Sequence, residues 1–319
     1  MSVKKLKNFR EMGVLMVLII IAIALAIVSP VFLNPTNMVN VVRQTVEIGI
    51  MAIGMTFLII SAEMDLSVGS VFGCTAMMGA LLFKSGVNPT LVFFLVLLAG
   101  AAIGFLNGFL VAKAKMPAFI ATLGTMQIFR SIAYAISNGQ SISVFPESAQ
   151  NSWVFKMGGF IGPIPIQVII MILLFVIAHI AMSKTKFGFD IYATGGNQRA
   201  AKLAGLQTDR VKIRNFMLTG ALSAFAGLIS IAYLQSVPTT AGEGREMDVI
   251  AAVILGGAAL SGGRGTILGT FIGAIIMSVV KNGMVLLSVP VFWQTGFIGI
   301  IIILAVLLDT WIGHKESTK

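Results

Sequence analysis

The chain has 319 residues, of which 57% are apolar before its 34 glycines are counted, and only 11% are charged. Soluble domains are roughly 45–50% apolar with glycine included and about 25% charged, so no soluble core of this size hides the surplus, and a water-soluble enzyme or binding module is excluded. The formal charge of +10 does not point to nucleic acid: in so apolar a chain, cationic loops mark the cytoplasmic side of a membrane.

The apolar runs are continuous rather than alternating, which predicts an all-α polytopic membrane protein and not a barrel. Lys4, Lys5, Lys7 and Arg10 precede the first run. A secretory signal begins in the same way, but small-x-small triplets such as Ala24-Leu25-Ala26 lie inside the run and Ser29-Pro30 follows it, so an uncleaved first span is expected. A crossing helix needs about 20 apolar residues. Ten candidate spans satisfy or approach that length, at 13–29, 44–61, 68–83, 90–112, 117–136, 164–182, 213–235, 248–260, 267–287 and 291–311. The third is short and the eighth very short. The longest polar connection, 137–163, carries Asn138, Gln140, Glu147, Gln150 and Asn151. The lone Cys74 excludes a disulfide framework, and His179 and His314 have no second metal-ligating residue at helical spacing.

The basic residues test this map. With both termini cytoplasmic, 16 of the 22 Lys and Arg fall inside; Arg43, Lys84, Lys156 and Arg245 fall outside; Arg130 and Lys281 stay in or near spans. The asymmetry supports ten spans, because an odd number would place one terminus outside. The whole chain, 1–319, reads as a single transmembrane domain.

Gly100, Gly104 and Gly108 repeat every fourth residue in the fourth span, and Gly265, Gly269 and Gly273 do so at the start of the ninth. Such tracks let helices approach closely where lipid provides no hydrophobic drive. The stretches 66–69 and 260–263 are weakly alike, as in a decayed internal repeat.

A charge at the bilayer centre costs about 2.5–3.5 kcal/mol, so Glu47 and Arg130 need a reason to be there; Glu63, Asp65 and Asp309 lie near span ends. Glu47 and Arg130 could pair, and Arg130 suits either a helix–helix contact or a solute pathway. Thr122, Thr125 and Gln127, with Arg130 on the fifth span, suit either a polar solute shedding its water or interhelical hydrogen bonds. Catalytic motifs are missing, and so is the Gly-x-x-x-x-Gly-Lys-Ser/Thr phosphate loop, so the chain is not expected to hydrolyse ATP or act as an enzyme.

Between the sixth and seventh spans runs Thr194-Gly195-Gly196-Asn197-Gln198-Arg199-Ala200-Ala201-Lys202-Leu203-Ala204-Gly205-Leu206. Asn197 suits an N-cap and Gly205 a C-terminal stop. Ala200, Ala201, Leu203 and Ala204 make a small, smooth face, while Arg199 and Lys202 point to water or headgroups. About seven helical residues cover ~10 Å, too little to cross a membrane. The segment is either a helix lying in the interface or a docking element for a soluble partner.

Three stretches carry a resemblance. They are Met64-Asp65-Leu66-Ser67-Val68-Gly69-Ser70; Gly195-Gly196-Asn197 with Ala200, Ala201, Ala204 and Gly205; and Thr240-Ala241-Gly242 with Gly244, Glu246, Asp248 and Ile250 through Gly257, followed by Leu260-Ser261-Gly262-Gly263-Arg264-Gly265-Thr266. Together with 118–124 and the overall length, they resemble the permease subunits of ATP-binding-cassette importers for monosaccharides, the ribose/xylose/arabinose/galactoside group. The likeness covers nearly the whole chain. It implies a permease in the cytoplasmic (inner) membrane of a prokaryote, paired with a second permease chain as homodimer or heterodimer. It further implies a separate ATPase that holds ATP and magnesium, an extracytoplasmic sugar-binding protein, and no cofactor on this chain. By the same likeness, Gly195–Gly205, within about 190–212, is the coupling helix that fits the ATPase. One departure is visible: the family usually has Gly before the Ile-Asp or Thr-Asp of the first motif, where this chain has Ala62-Glu63-Met64-Asp65.

The resulting expectation is alternating access driven by a partner's ATP cycle, with ribose as the first sugar to test. An ion-driven secondary transporter would instead need a midplane carboxylate, for which Glu47 is the candidate. An intramembrane enzyme lacks a nucleophile–base pair. A branched-chain amino-acid permease is the nearest neighbour in transporter class, and the Asp65-Leu66-Ser67 and Gly195-Gly196-Asn197 stretches favour a sugar over it.

Overall fold

The computed structural model describes residues 3–317. The side chains of 3–10, 305 and 308–317 lie outside the described residues, and with them the readings of Lys4, Lys5, Lys7, Arg10, Asp309, His314 and Lys315; Lys319 lies outside altogether.

Helix α1 (Val3–Val28) ends before the Ser29-Pro30 turn. Helix α2 (Pro35–Ile60) starts where Asn34 accepts from the Thr36 N–H, with Pro35 in the first turn, where a missing N–H costs nothing. Asn88 and Pro89 repeat this device at α4 (Pro89–Ala112), after α3 (Val68–Lys84). Helix α5 (Ala118–Ser137) stops on the left-handed Asn138. Beyond the capped region described below come α8 (Ile166–Lys184), α9 (Lys186–Gly196), α10 (Gln198–Leu203), α11 (Thr208–Leu234), α12 (Arg245–Leu255), α13 (Ile267–Leu286) and α14 (Val291–Ser317).

Each of the ten predicted segments meets one of these helices, and among the described residues seven helices are long and apolar enough to cross a membrane; the protein is an all-α polytopic membrane protein. Helix α2 is the central post. Its most apolar window is 83% buried, whereas that of α1 is not buried at all, as expected when an all-round apolar helix is surrounded by others.

The eighth segment is a correction. Helix α12 has 11 residues, about 16 Å of rise against a hydrocarbon thickness of about 30 Å, so it does not span by itself. The residues before it cannot extend it, because 238–244 turn repeatedly and hold Gly242 and Gly244 at positive φ. They descend beside α3, where Gly69 and Gly73 leave room: a Cβ on Gly69 would fall on the Gly242 carbonyl and the Glu246 carboxylate, and one on Gly73 on the Ala241 carbonyl. Non-helical backbone at membrane depth survives where it is buried in protein or lines a cavity.

The connection 137–163 is a folded cap rather than a polar loop. It contains β1 (Ile142–Ser143), α6 (Glu147–Gln150), α7 (Trp153–Lys156) and β2 (Phe160–Ile161), which forms a hairpin with β3 (Ile164–Pro165). Strand β1 pairs antiparallel with β4 (Ser236–Val237), Ile142 opposite Val237. Phe145 and Phe155 bury against Phe83 of α3, with the Phe83 and Phe155 rings 5.2 Å apart at 77°.

The glycine tracks serve two helix pairs. A Cβ on Gly100, Gly104 or Gly108 would meet the backbone of α11, at Gly220, Phe216 and Ile213. Gly269 and Gly273 abut the Gly256 and Ala252 carbonyls at the end of α12. Gly265 is not on helix α13; it sits in the preceding turn at φ +148.

Candidate functional site

The short helix α10 occupies one end of the bundle. Asn197 caps it by accepting from the Ala200 N–H at 3.0 Å, and Gly205 follows it at φ +84. Helix α9, which the sequence reading did not separate from the coupling segment, seats it: Ile191 and Thr194 are buried, and Tyr192 donates to the Gly265 carbonyl at 2.8 Å. The Gly195-Gly196 and Gly262-Gly263 pairs meet at the end of α2. The Gly263 N–H donates to the Ile60 carbonyl at 2.8 Å, and a Cβ on Gly195 would fall on that same oxygen. Any side chain at Gly195 would therefore lift the seat of α10. On α10 itself Ala201 is buried, while Ala200 and Ala204 are exposed and Leu203 is 91% exposed.

This end of the bundle is basic. Lys115, Lys202 and Lys113 surround Asp209 at 3.2, 3.5 and 3.7 Å. Lys212 holds Glu63 at 2.5 Å and donates to Gln198 at 3.2 Å. The Glu63 charge in the Ala62-Glu63-Met64-Asp65 turn thus has its counterion on α11. A Lys212→Met substitution leaves the Glu63 carboxylate without it. We expect a loss of about 2 kcal/mol, less than the 3–5 kcal/mol of a fully buried pair, because both side chains keep 11% exposure. A thermal melt in detergent reads this, and adding Glu63→Gln should restore most of the loss.

The turn 61–67 explains the Asp65-Leu66-Ser67 motif. Ala62 is left-handed at φ 62. Asp65, 1% exposed, accepts from the Ser67 N–H at 2.7 Å and the Ser67 hydroxyl at 2.6 Å, with Asn107 of α4 donating at 3.3 Å. Burial pushes the Asp65 carboxyl up from its ordinary range, and the Ser67 and Asn107 bonds oppose that rise. Thr122 accepts from the Leu66 N–H at 3.1 Å, and the Thr125 hydroxyl donates to the Thr122 carbonyl at 3.2 Å. Thr122 ties α5 to the turn, the Thr125 bond stays within α5, and Gln127 faces the exposed side.

Glu47 and Arg130 do not pair. Glu47 of α2 binds Arg245 at 2.6 Å, at the start of α12, and Arg130 donates to the Ala241 carbonyl at 2.7 Å. Tyr134, one turn further along α5, donates to Glu243. Helix α5 therefore holds the re-entrant stretch from one side while α2 holds its end from the other. Asp248, 2% exposed, binds Lys281 of α13 at 2.6 Å and lies 4.0 Å from Arg245. Glu246 turns toward Gly69. The chain Glu47–Arg245–Asp248–Lys281 joins α2, α12 and α13. Sequence reasoning missed Arg245, which it placed in an outer loop, and passed over Lys281, an in-span cation whose cost was the available signal. Asn107 and Lys212 were missed as well, since neither belongs to a motif.

The family described as "Branched-chain amino acid transport system / permease component" matches residues 37–306. The ribose import permease protein RbsC of Bacillus subtilis (strain 168) is 43% identical over 94% of this chain and 92% of its own length. RbsC of Escherichia coli (strain K12) is 39% identical over 94% and 93%, and the autoinducer 2 import system permease protein LsrC of Photorhabdus luminescens is 32% identical over 96% and 91%. Among solved structures, one described as an inward-facing conformation of a metal-chelate type ABC transporter aligns with a TM-score of 0.50 at 17% identity, covering 93% of this chain and 99% of that one, which bears on the fold alone. By the match over residues 37–306 the chain belongs to the family of the branched-chain amino acid transport system permease component, and its relatives include the ribose import permeases.

Proposed function

We propose that this protein is the membrane-spanning permease of an ABC importer that carries a monosaccharide, ribose first, across the cytoplasmic membrane of a prokaryote. The basic end of the bundle is its cytoplasmic face. There α10, the Gly195–Gly205 coupling segment, enters a cleft of a separate ATPase, which holds the ATP and magnesium and does the hydrolysis. A second permease chain completes the pathway, and an extracytoplasmic sugar-binding protein delivers the sugar on the opposite face, over the 137–163 cap.

One observation carries the coupling role. Leu203 is an apolar side chain 91% exposed on a six-residue helix whose exposed residues also include Arg199 and Lys202. An exposed apolar side chain at the end of the bundle that carries Lys113, Lys115 and Lys202 suits a protein cleft. The choice of solute rests on the likeness to the ribose import permeases. The ion-driven reading loses its candidate, because Glu47 is bound to Arg245 rather than free.

The test is purification of the tagged chain from its host in mild detergent. A phosphate-loop ATPase at stoichiometric amount supports the reading. Elution of the chain alone, at full expression, defeats it.

A further inference from the structure

A cavity of about 410 Å³ opens at the basic end of the bundle, between the Glu63 turn, the α4–α5 connection, α10 and the start of α11, within the roughly 300–1,000 Å³ of small-molecule sites. Its charged lining is Lys115, Arg199, Lys202 and Lys212 against Glu63 and Asp209, four cations and two carboxylates. Lys113 adjoins it, 3.7 Å from Asp209. These charges do not cancel. Glu63 is taken by Lys212, which also donates to Gln198, the one amide in the lining. Asp209 answers Lys115, Lys202 and Lys113 at once, at 3.2, 3.5 and 3.7 Å. Three ammonium groups gathered on one carboxylate repel one another, and two positive charges are left over. Arg199 makes no ion pair or hydrogen bond among the described residues and adds a third.

The rest of the lining is apolar: Val111, Ala112, Met116, Pro117 and Ala118, from the end of α4 to the start of α5. Met116 is exposed, and so are Phe119 and Ile120 in the first turn of α5. Both helices are long and apolar enough to cross a membrane, and their most apolar windows are only 28% and 22% buried. The connection between two such helices lies at the level of the phospholipid headgroups. A free anion would use the cations and leave the apolar side chains in water. A phospholipid would use both, its phosphate among the cations and its first acyl carbons against Met116, Phe119 and Ile120. The Arg199 guanidinium offers the planar fork that matches phosphate oxygens. A zwitterionic headgroup would bring its own cation into a pocket that already has too many.

We propose that this cavity holds the headgroup phosphate of one anionic phospholipid, in the manner of basic pockets between spanning helices on the cytoplasmic side. The choice of leaflet follows the orientation given above; the site itself does not depend on the importer reading. Because α10 supplies Arg199 and Lys202, the bound lipid ties the coupling segment to the ends of α4 and α5.

Native mass spectrometry of the detergent-purified full chain, titrated with phosphatidylglycerol and with phosphatidylcholine of the same acyl chains, tests this. We expect one phosphatidylglycerol per chain, bound at least about tenfold more tightly than phosphatidylcholine. Lys113→Gln with Lys115→Gln lies outside α10 and should weaken it about thirtyfold, the effect of two near-surface lysines. Arg199→Gln breaks no contact and should weaken it about fivefold, so the test survives if the double variant melts early. Lys84→Gln with Lys156→Gln, the same charge change at the other end of the bundle, should leave the affinity as it is. Equal affinity for the two lipids overturns the proposal, as does phosphatidylglycerol binding unchanged by the lysine and arginine substitutions. Displacement by inorganic phosphate at equal concentration would make this a free-anion site and overturn it as well. On the complex with a co-purified ATPase the lipid should stay bound; its loss there would assign the cavity to an acidic group of that partner. A chain without an ATPase defeats the importer and leaves the lipid titrations to decide the site.

Discussion

Gly104→Leu should leave little folded protein, and Gly124→Leu should leave as much as the parent. A Cβ at Gly104 would fall on the Phe216 carbonyl and the Met217 Cα of α11, both backbone atoms that cannot swing aside. The most extensively packed pair of helices in the bundle must then separate. Overpacking usually costs 1–3 kcal/mol, and a clash with rigid backbone should reach at least about 3 kcal/mol, a large part of a marginal stability. Gly124, on the exposed face of α5, has nothing within 4 Å of its Cβ position. There leucine replaces a poor helix former and should gain about 0.5–1 kcal/mol. Melting of the detergent-solubilised proteins, followed by size exclusion, decides it. Equal melting temperatures for the two variants would remove the α4–α11 packing argument.

Gly205→Arg should abolish sugar uptake while the chain still inserts and melts near the parent temperature. Space is available, since nothing lies within 4 Å of the Cβ position, and the strain is that of one non-glycine residue at φ +84, about 1–2 kcal/mol. The arginine would project beside Leu203, into the surface that the coupling role gives to the ATPase. Uptake should fall at least about tenfold, equivalent to 1.4 kcal/mol, with loss of co-purifying ATPase. Gly205→Asn, which tolerates the left-handed region, separates conformation from bulk and should retain most uptake. Parental uptake in the arginine variant would sink the coupling assignment.

Much of the molecule was legible in the sequence because two of its signals are local. Apolar run length placed the helices, so every predicted segment meets one. Cap chemistry placed α10, since Asn197 and Gly205 act within a turn of their own positions. The signal failed where length misled: 248–260 is apolar enough to look like a short span, yet the helix stops at 255, where Gly256 and Gly257, the latter at positive φ, turn the chain, and the glycines at 242 and 244 keep it from starting before 245. The polar connection 137–163 looked like a loop because its order comes from Phe145 and Phe155 burying against α3 and from β1 pairing with β4, some 95 residues later.

The site residues divide in the same way. The motifs identified Asp65, Glu246, Asp248 and the glycine pairs as positions of interest, without saying what they touch. Composition, run length, charge asymmetry and motif order by themselves determined a polytopic helical membrane protein, its family resemblance, and a short capped helix on the basic side. Only the tertiary structure decided that Glu47 binds Arg245 rather than Arg130, that Lys212 answers Glu63, that Gly195 and Gly263 meet at Ile60, and that the stretch before α12 lines a cavity with α2 and α13. The physical reason is range. Hydropathy and capping depend on neighbours within a few turns, whereas the partner of a buried charge or of a bare glycine backbone is chosen by helix packing, between residues 68 to 203 positions apart.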